Sequence, residues 1–178
     1  MSEKADTGLK LAFGSYDDAV KMIGAKGGVS FGDIDVNTPM IQYYAAMIED
    51  PNPSYWDPGF SEEHWGGQVS PPGMLMTWSM RIPWSPRPAE EEEGLMTKVP
   101  LPGDTVINVE TEAEFVRPVY VGDRLSSTDE LVDISPEKTT RLGTGHFITT
   151  LATFRNQRGE IVGTNKNVLF RFSAGGAA

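Results

Sequence analysis

Asp50-Pro51-Asn52-Pro53-Ser54-Tyr55-Trp56-Asp57-Pro58-Gly59-Phe60 opens a stretch, running on to Gly67, that is dense in proline, asparagine, glycine and aromatic residues. Asp-Pro-Asn-Pro is turn chemistry: Asp and Asn side chains hydrogen-bond the backbone two residues on, and each proline fixes φ and removes a donor. The segment reads as an ordered, irregular excursion over the surface, of a length that often carries function. On its N-terminal side, Asn37-Thr38-Pro39 supplies an N-cap and an early proline, and Met40, Ile41, Tyr44, Ala45, Met47 and Ile48 recur at helical spacing. An amphipathic helix over about 38–49 is expected. On its C-terminal side, Pro71-Pro72-Gly73 opens the apolar run Met74-Leu75-Met76-Thr77-Trp78-Ser79-Met80. This predicts a buried helix of some ten residues, about Gly73 to Ile82, stopped by Pro83.

Further out, Ala19, Val20, Met22 and Ile23 suggest a short helix ending at Gly24, and Gly27 to Gly32 reads as a turn or an irregular first strand. Beyond residue 105 the period changes from helical to alternating. Val106 to Phe115, Leu125 to Ile134, His146 to Phe154 and Ile161 to Phe172 read as four strands, with Ser135-Pro136-Glu137-Lys138 and Asn156-Gln157-Arg158-Gly159 as hairpin turns. Helices followed by a run of strands give an α+β class, an antiparallel sheet covering a helix. With no internal repeat or linker, residues 1–178 read as one domain.

Composition narrows the function. There is no cysteine, no basic leader followed by an apolar stretch and no apolar run long enough to cross a bilayer, so a soluble, cytoplasmic protein is expected, with no membrane partner. A formal charge of −10 disfavours a nucleic-acid partner, which is held by clustered Lys and Arg. An anionic ligand would need a local basic patch, for which Arg81, Arg87, Arg117, Arg141, Lys166 and Arg171 are the candidates, with scattered surface charge as the plain reading. Glu90 to Glu93 reads as a solvated loop, no metal-ligand spacing is present, and Gly143-Thr144-Gly145 is too short for a dinucleotide site, so neither metal nor cofactor is expected. Trp56, Trp65 and Trp84 sit in loops and are candidate pocket walls. Met74, Leu75, Trp78 and Met80 read first as core, with Trp78, like Asn52, also a candidate substrate contact.

The Asp50-to-Phe60 segment resembles the signature loop of MaoC-like (R)-specific enoyl-CoA hydratases, whose pattern runs Asp, any residue, Asn-Pro, any residue, His. Gly73-Met74-Leu75 is similar to the start of that family's central helix, at the family's spacing from Asp50, and Phe115-Val116-Arg117-Pro118-Val119-Tyr120-Val121-Gly122-Asp123 resembles its return strand and turn. The resemblance covers about residues 37–80 without a gap and extends through most of the chain. It implies the hot-dog fold, a sheet wrapped around a central helix that is shortened here, and water addition to an enoyl-CoA thioester without a cofactor. In the family, Asp and His flank the water, and a backbone N–H at the position of Gly73 polarises the thioester carbonyl.

Asp50 and Gly73 match, but the His position holds Tyr55, whose ordinary pKa of about 10 makes it a poor base at neutral pH. The only histidines are His64, in the excursion, and His146, in a predicted strand. Losing one general acid or base costs about 10² to 10⁴ in rate, so the chain alone is expected to be a weak hydratase or none. The family includes two-subunit enzymes whose larger member lacks the His and often carries Asn-Pro followed by Tyr and a Val-x-Pro-Pro element like Val69-Ser70-Pro71-Pro72. The resemblance thus implies a subunit that completes an acyl pocket with a smaller Asp/His-bearing partner, for lipid or steroid side chains. A self-sufficient homodimer using Asp50, a non-catalytic acyl-binding subunit in which Asp50 only caps a loop, and a hot-dog thioesterase remain alternatives. The short helix and the Pro83-to-Pro88 connection would leave room for a long or polycyclic acyl group.

Overall fold

The computed structural model describes residues 10–82, 84, 86 and 94–174. The Glu90 to Glu93 run, Pro83 and Arg87 lie outside them.

Ten elements follow in chain order: α1 (Tyr16–Val20), β1 (Ser30–Phe31), α2 (Thr38–Met47), α3 (Pro53–Trp56), α4 (Pro58–Trp65), β2 (Thr105–Phe115), β3 (Ser126–Ile134), β4 (Lys138–Thr139), β5 (Gly143–Arg155) and β6 (Ile161–Ala174). The strands form one antiparallel sheet in the order β1-β3-β5-β6-β2, with β4 paired to β5. The four long strands lie where the alternation places them. β5 and β6 form the centre through a turn in which Asn156 Oδ1 accepts from the N–H groups of Arg158 and Glu160. β2 is an outer strand, and its residues from Asn108 to Phe115 are exposed.

One face of this sheet carries two separate apolar clusters. In the first, Val36, Ile41, Ala45, Tyr55, Met74, Leu75 and Trp78 pack on Leu125, Ala152, Phe154 and Val162. In the second, Ala19, Leu95, Val99 and Leu101 pack on Leu131, Ile134 and Ile148. Helix α2 forms as its sequence predicts, with Asn37 Oδ1 accepting from Met40 N–H and Ile41 and Ala45 turned to the core.

Two expectations are corrected. The stretch after Asp50 is helical rather than irregular: Asn52 Oδ1 accepts from Ser54 N–H and Asp57 Oδ1 from Gly59 and Phe60 N–H, so each Asx-Pro pair starts a helix with proline in its first turn. The expected central helix from Gly73 to Ile82 is absent, and two 3-10 turns, Pro72–Met74 and Thr77–Ser79, stand in its place. Pro71 offers no side-chain cap. The Trp78 indole N–H reaches back to Ser70 Oγ at 2.7 Å, and the chain beyond Met80 is extended and held by Asp33, whose Oδ2 accepts from Ile82 N–H. Gly32 lies so close to the Trp78 carbonyl that a Cβ there would overlap it, so β1 and this segment are fitted to each other. No helix among the described residues is long and apolar enough to cross a membrane.

Candidate active site

Asp50 follows α2 and turns the chain into α3. Its Oδ1 accepts from Asn52 N–H at 2.9 Å, an Asx turn, and its carbonyl accepts from the Trp56 indole at 2.8 Å. Tyr55, on α3, is buried. Burial pushes its phenol above the ordinary range, the Asp50 carboxylate raises it further, and Asn52 opposes the shift. Tyr55 therefore stays protonated well above neutral pH. The raised value also means that the folded state holds the proton more tightly than the unfolded chain. Its contribution to stability is complete below about pH 10 and is lost as the pH climbs through the folded pKa.

A cavity of about 290 Å³ opens beside Tyr55. One wall comes from Asn52, Ser54, Tyr55 and Trp65, another from Val69 to Pro72 with Leu75, and a third from Phe115 to Val119 with Val162. The second and third walls are tied: Ser70 N–H donates to Val119 O at 2.8 Å and Val121 N–H to Gln68 O at 3.0 Å. The first is fastened by Trp65 Nε1 on Ser54 Oγ, Ser61 Oγ on Ser54 O, and Gln68 Nε2 on Tyr55 O. On the third wall, Phe115 is the exposed last residue of β2 and Val116, also exposed, follows it, so the cavity sits at the rim of the sheet.

The expected site residues divide. Asn52 and Tyr55 line the cavity, as does Trp65. Asp50 stands next to them as a turn acceptor. Gly73 lies between the lining residues Pro72 and Leu75, in a 3-10 turn whose first N–H groups have no acceptor within the turn. Trp78 is in the core, 1% exposed, rather than at a surface open to substrate. Trp56 binds the Asp50 carbonyl and Trp84 is exposed, and neither lines the cavity. His64 stacks on Phe60 with Nδ1 against the Phe60 carbonyl, and His146 is buried beneath Tyr16 with Nδ1 against Ser135 O. Neither supplies the missing imidazole. The basic candidates do not converge either: Arg117 pairs with Glu160, Lys166 with Glu112, and Arg171 is buried. The Glu160 carboxyl is lowered to about 2 by Asn156, Arg158 and Arg117.

Tyr44, read from the sequence only as part of the apolar spacing of α2, stands beside Gly73. It packs against the first cluster, and a Cβ on Gly73 would overlap its hydroxyl. Its only signal was its place on the buried stripe of α2, which does not separate a core residue from a site residue.

The model of the FAS1-like dehydratase domain region matches residues 21–165. The chain belongs to that family. Among curated members, the chain is similar to a probable enoyl-CoA hydratase alpha subunit of Thermomonospora curvata, 37% identical over 148 residues, 79% of this chain and 46% of that protein. It is also similar to the 3-oxo-4,17-pregnadiene-20-carboxyl-CoA hydratase alpha subunit of Mycobacterium tuberculosis, 33% identical over 116 residues, 64% of this chain and 37% of that protein. The chain thus spans less than half the length of either curated relative. Among solved structures, the ChsH1-ChsH2 complex from Mycobacterium tuberculosis matches with a TM-score of 0.71 and 24% identity, over 90% of this chain and 93% of that one. That likeness shows the fold: in this FAS1-like dehydratase region the hot-dog sheet is retained while its central helix is reduced to two turns.

Proposed function

We propose that this FAS1-like dehydratase region is one hot-dog half of an enoyl-CoA hydratase. It forms the acyl pocket while a smaller partner, bearing the Asp and His, adds water across the trans-2 double bond. The observation that carries the reading is the cavity wall itself: where the family's base would stand there is Tyr55, a phenol held neutral, and both histidines of the chain lie elsewhere. The exposed β2 edge, with Phe115 and Val116 at the cavity mouth, leaves the pocket open where a second sheet can add. Names of curated relatives support an alpha-subunit role, and one of them supports a fused-ring acyl group. In this scheme the Gly73 N–H donates to the thioester carbonyl as enolate charge develops.

The test is the loss of enoyl-thioester absorbance with crotonyl-CoA and with a fused-ring enoyl-CoA. Turnover should require both chains, and robust turnover by this chain alone would overturn the reading. In the assembled enzyme, Tyr55→Phe and Asp50→Asn should each keep kcat/KM within about threefold, because each leaves the partner's proton-transfer groups in place. Asparagine also retains the Oδ1 acceptor of the Asx turn. The pH–rate profile between pH 6 and 9 should be unmoved by Tyr55→Phe. A limb that disappears in that variant would assign the proton transfer to Tyr55.

A further inference from the structure

Between the two apolar clusters, the covered face of the sheet is polar. Its register across β5, β6 and β2 places four rows in succession: Phe154-Gly163-Phe115, Ala152-Asn165-Ala113, Thr150-Asn167-Thr111 and Ile148-Leu169-Asn108. The first row lies under Leu75 at the cavity, since a Cβ on Gly163 would meet Leu75 Cδ2 at 2.8 Å as well as the Glu114 carbonyl of the neighbouring strand. The last row enters the second cluster through Ile148 and Leu169. The middle rows lie where a longer central helix would have covered the sheet.

Two features separate these rows from ordinary solvated strand positions. Asn165 is 1% exposed, its Nδ2 meets only the weak acceptor Met76 Sδ at 2.9 Å, and its Oδ1 has no partner among the described residues. Turning the amide over would only exchange which polar atom is orphaned. Beside it, Thr111 Oγ1 donates to Asn167 Oδ1 at 2.9 Å and Asn108 Nδ2 to Thr111 Oγ1 at 2.9 Å, a net that fixes the Asn167 oxygen and leaves its amide nitrogen outside. Met76, whose Sδ touches Asn165, is half exposed and unbranched, a side chain that can swing aside without a backbone shift.

We propose that Asn165 and Asn167 form a hydrogen-bonding subsite for a hydroxyl group on the acyl chain, at the end remote from the thioester. The hydroxyl donates to Asn165 Oδ1 and accepts from Asn167 Nδ2. With rows two residues apart, these amides lie about 7 and about 13 Å beyond the Gly163 row, a span that a fused-ring acyl group reaches and a crotonyl group does not. The proposal rests on the acyl-pocket reading above and adds a selectivity to it.

The test uses two saturated fused-ring acyl-CoA thioesters that differ only in a hydroxyl at the remote ring, so that binding is read without turnover. Calorimetric titration into the chain, alone and assembled with its partner, should show about tenfold tighter binding of the hydroxylated thioester. Asn165→Leu and the less buried Asn167→Ala should each cut that preference below about threefold and leave affinity for the deoxy thioester nearly unchanged. Equal binding of the two thioesters by the wild type would overturn the subsite while the acyl-pocket reading stands. A preference that survives in either folded variant would overturn it too. Failure of both thioesters to bind would remove both readings together.

Discussion

Gly73→Ala in the assembled enzyme is expected to lower kcat/KM about 10²-fold, and Tyr44→Phe added to it should recover most of the loss. The new methyl group would occupy the space of the Tyr44 hydroxyl, which is carried on a rigid ring anchored by α2 in the first cluster. The tyrosine cannot withdraw easily, so the 3-10 turn must shift, and with it Pro72 and Leu75 on the cavity wall and the N–H proposed to polarise the thioester. Displacements of about 1 Å at a reacting centre cost rates of this order. Removing the hydroxyl leaves the next ring atom, Cζ, 3.3 Å from the added carbon, tight but tolerable. A purely structural role for Gly73 would show as lost thermal stability with normal turnover in the surviving folded protein. A double variant no better than the single would remove Tyr44 from the explanation.

Arg171→Leu should destabilise the chain by about 3–5 kcal/mol, read as a lower urea midpoint and a Tm lower by roughly 10 °C. Arg171 sits in β6 with no measurable exposure. Its Nε donates to Gly103 O at 2.9 Å, Nη1 to Val99 O at 2.8 Å and Nη2 to Ala12 O at 2.7 Å, with Phe13 packed over the guanidinium. Among the described residues no carboxylate pairs with it, and burial lowers its pKa from the usual arginine value. Three carbonyl dipoles do the work of a counter-ion and pin two loop segments to the central strand. Leucine would fill much of the volume but take the guanidinium donor from the Gly103 and Ala12 carbonyls and leave Val99 O with Leu101 N–H alone. Lysine would keep the charge but lacks the planar fork that reaches three directions, so Arg171→Lys should fall between. A leucine variant within about 1 kcal/mol of wild type would show that water replaces the guanidinium freely.

The two kinds of expectation fared differently for a physical reason. Alternation in the strands is a one-dimensional signal, and from Val106 to Phe115 or Ile161 to Phe172 the chain could be read locally because each strand's pattern is set by its own pleat. Asn52-Pro53 and Asp57-Pro58 are ambiguous: an Asx-Pro pair opens a turn or a helix with equal local chemistry, and tertiary packing of Ser54, Tyr55 and Ser61 selects the helices. The apolar run after Gly73 misled in the other direction. Its fate is set by Ser70, Asp33 and Gly32, which lie outside the apolar run and take the Trp78 indole, the Ile82 N–H and the space beside the Trp78 carbonyl. Likewise the Asp50 and Tyr55 positions were legible as residues, but the Asx turn and the buried phenol are facts of packing. Arg171 read as surface charge because nothing in its neighbours along the chain announces three carbonyls aimed at one point.

The free flank of β2 also governs what happens when supply of the two proposed chains is unequal. An eleven-residue strand with one side unpaired among the described residues is a template for any extended segment, so a surplus copy would self-associate unless its side chains oppose the pairing. Glu110, Glu112 and Glu114 alternate along one face of that strand, and of the three only Glu112 has an ion-pair partner among the described residues, Lys166. Two copies meeting antiparallel about Glu112 would set Glu110 against Glu114 twice over, an arrangement that cross-strand repulsion disfavours. The strand's charge thus makes an identical chain a poor companion and leaves the edge to one that brings positive charge.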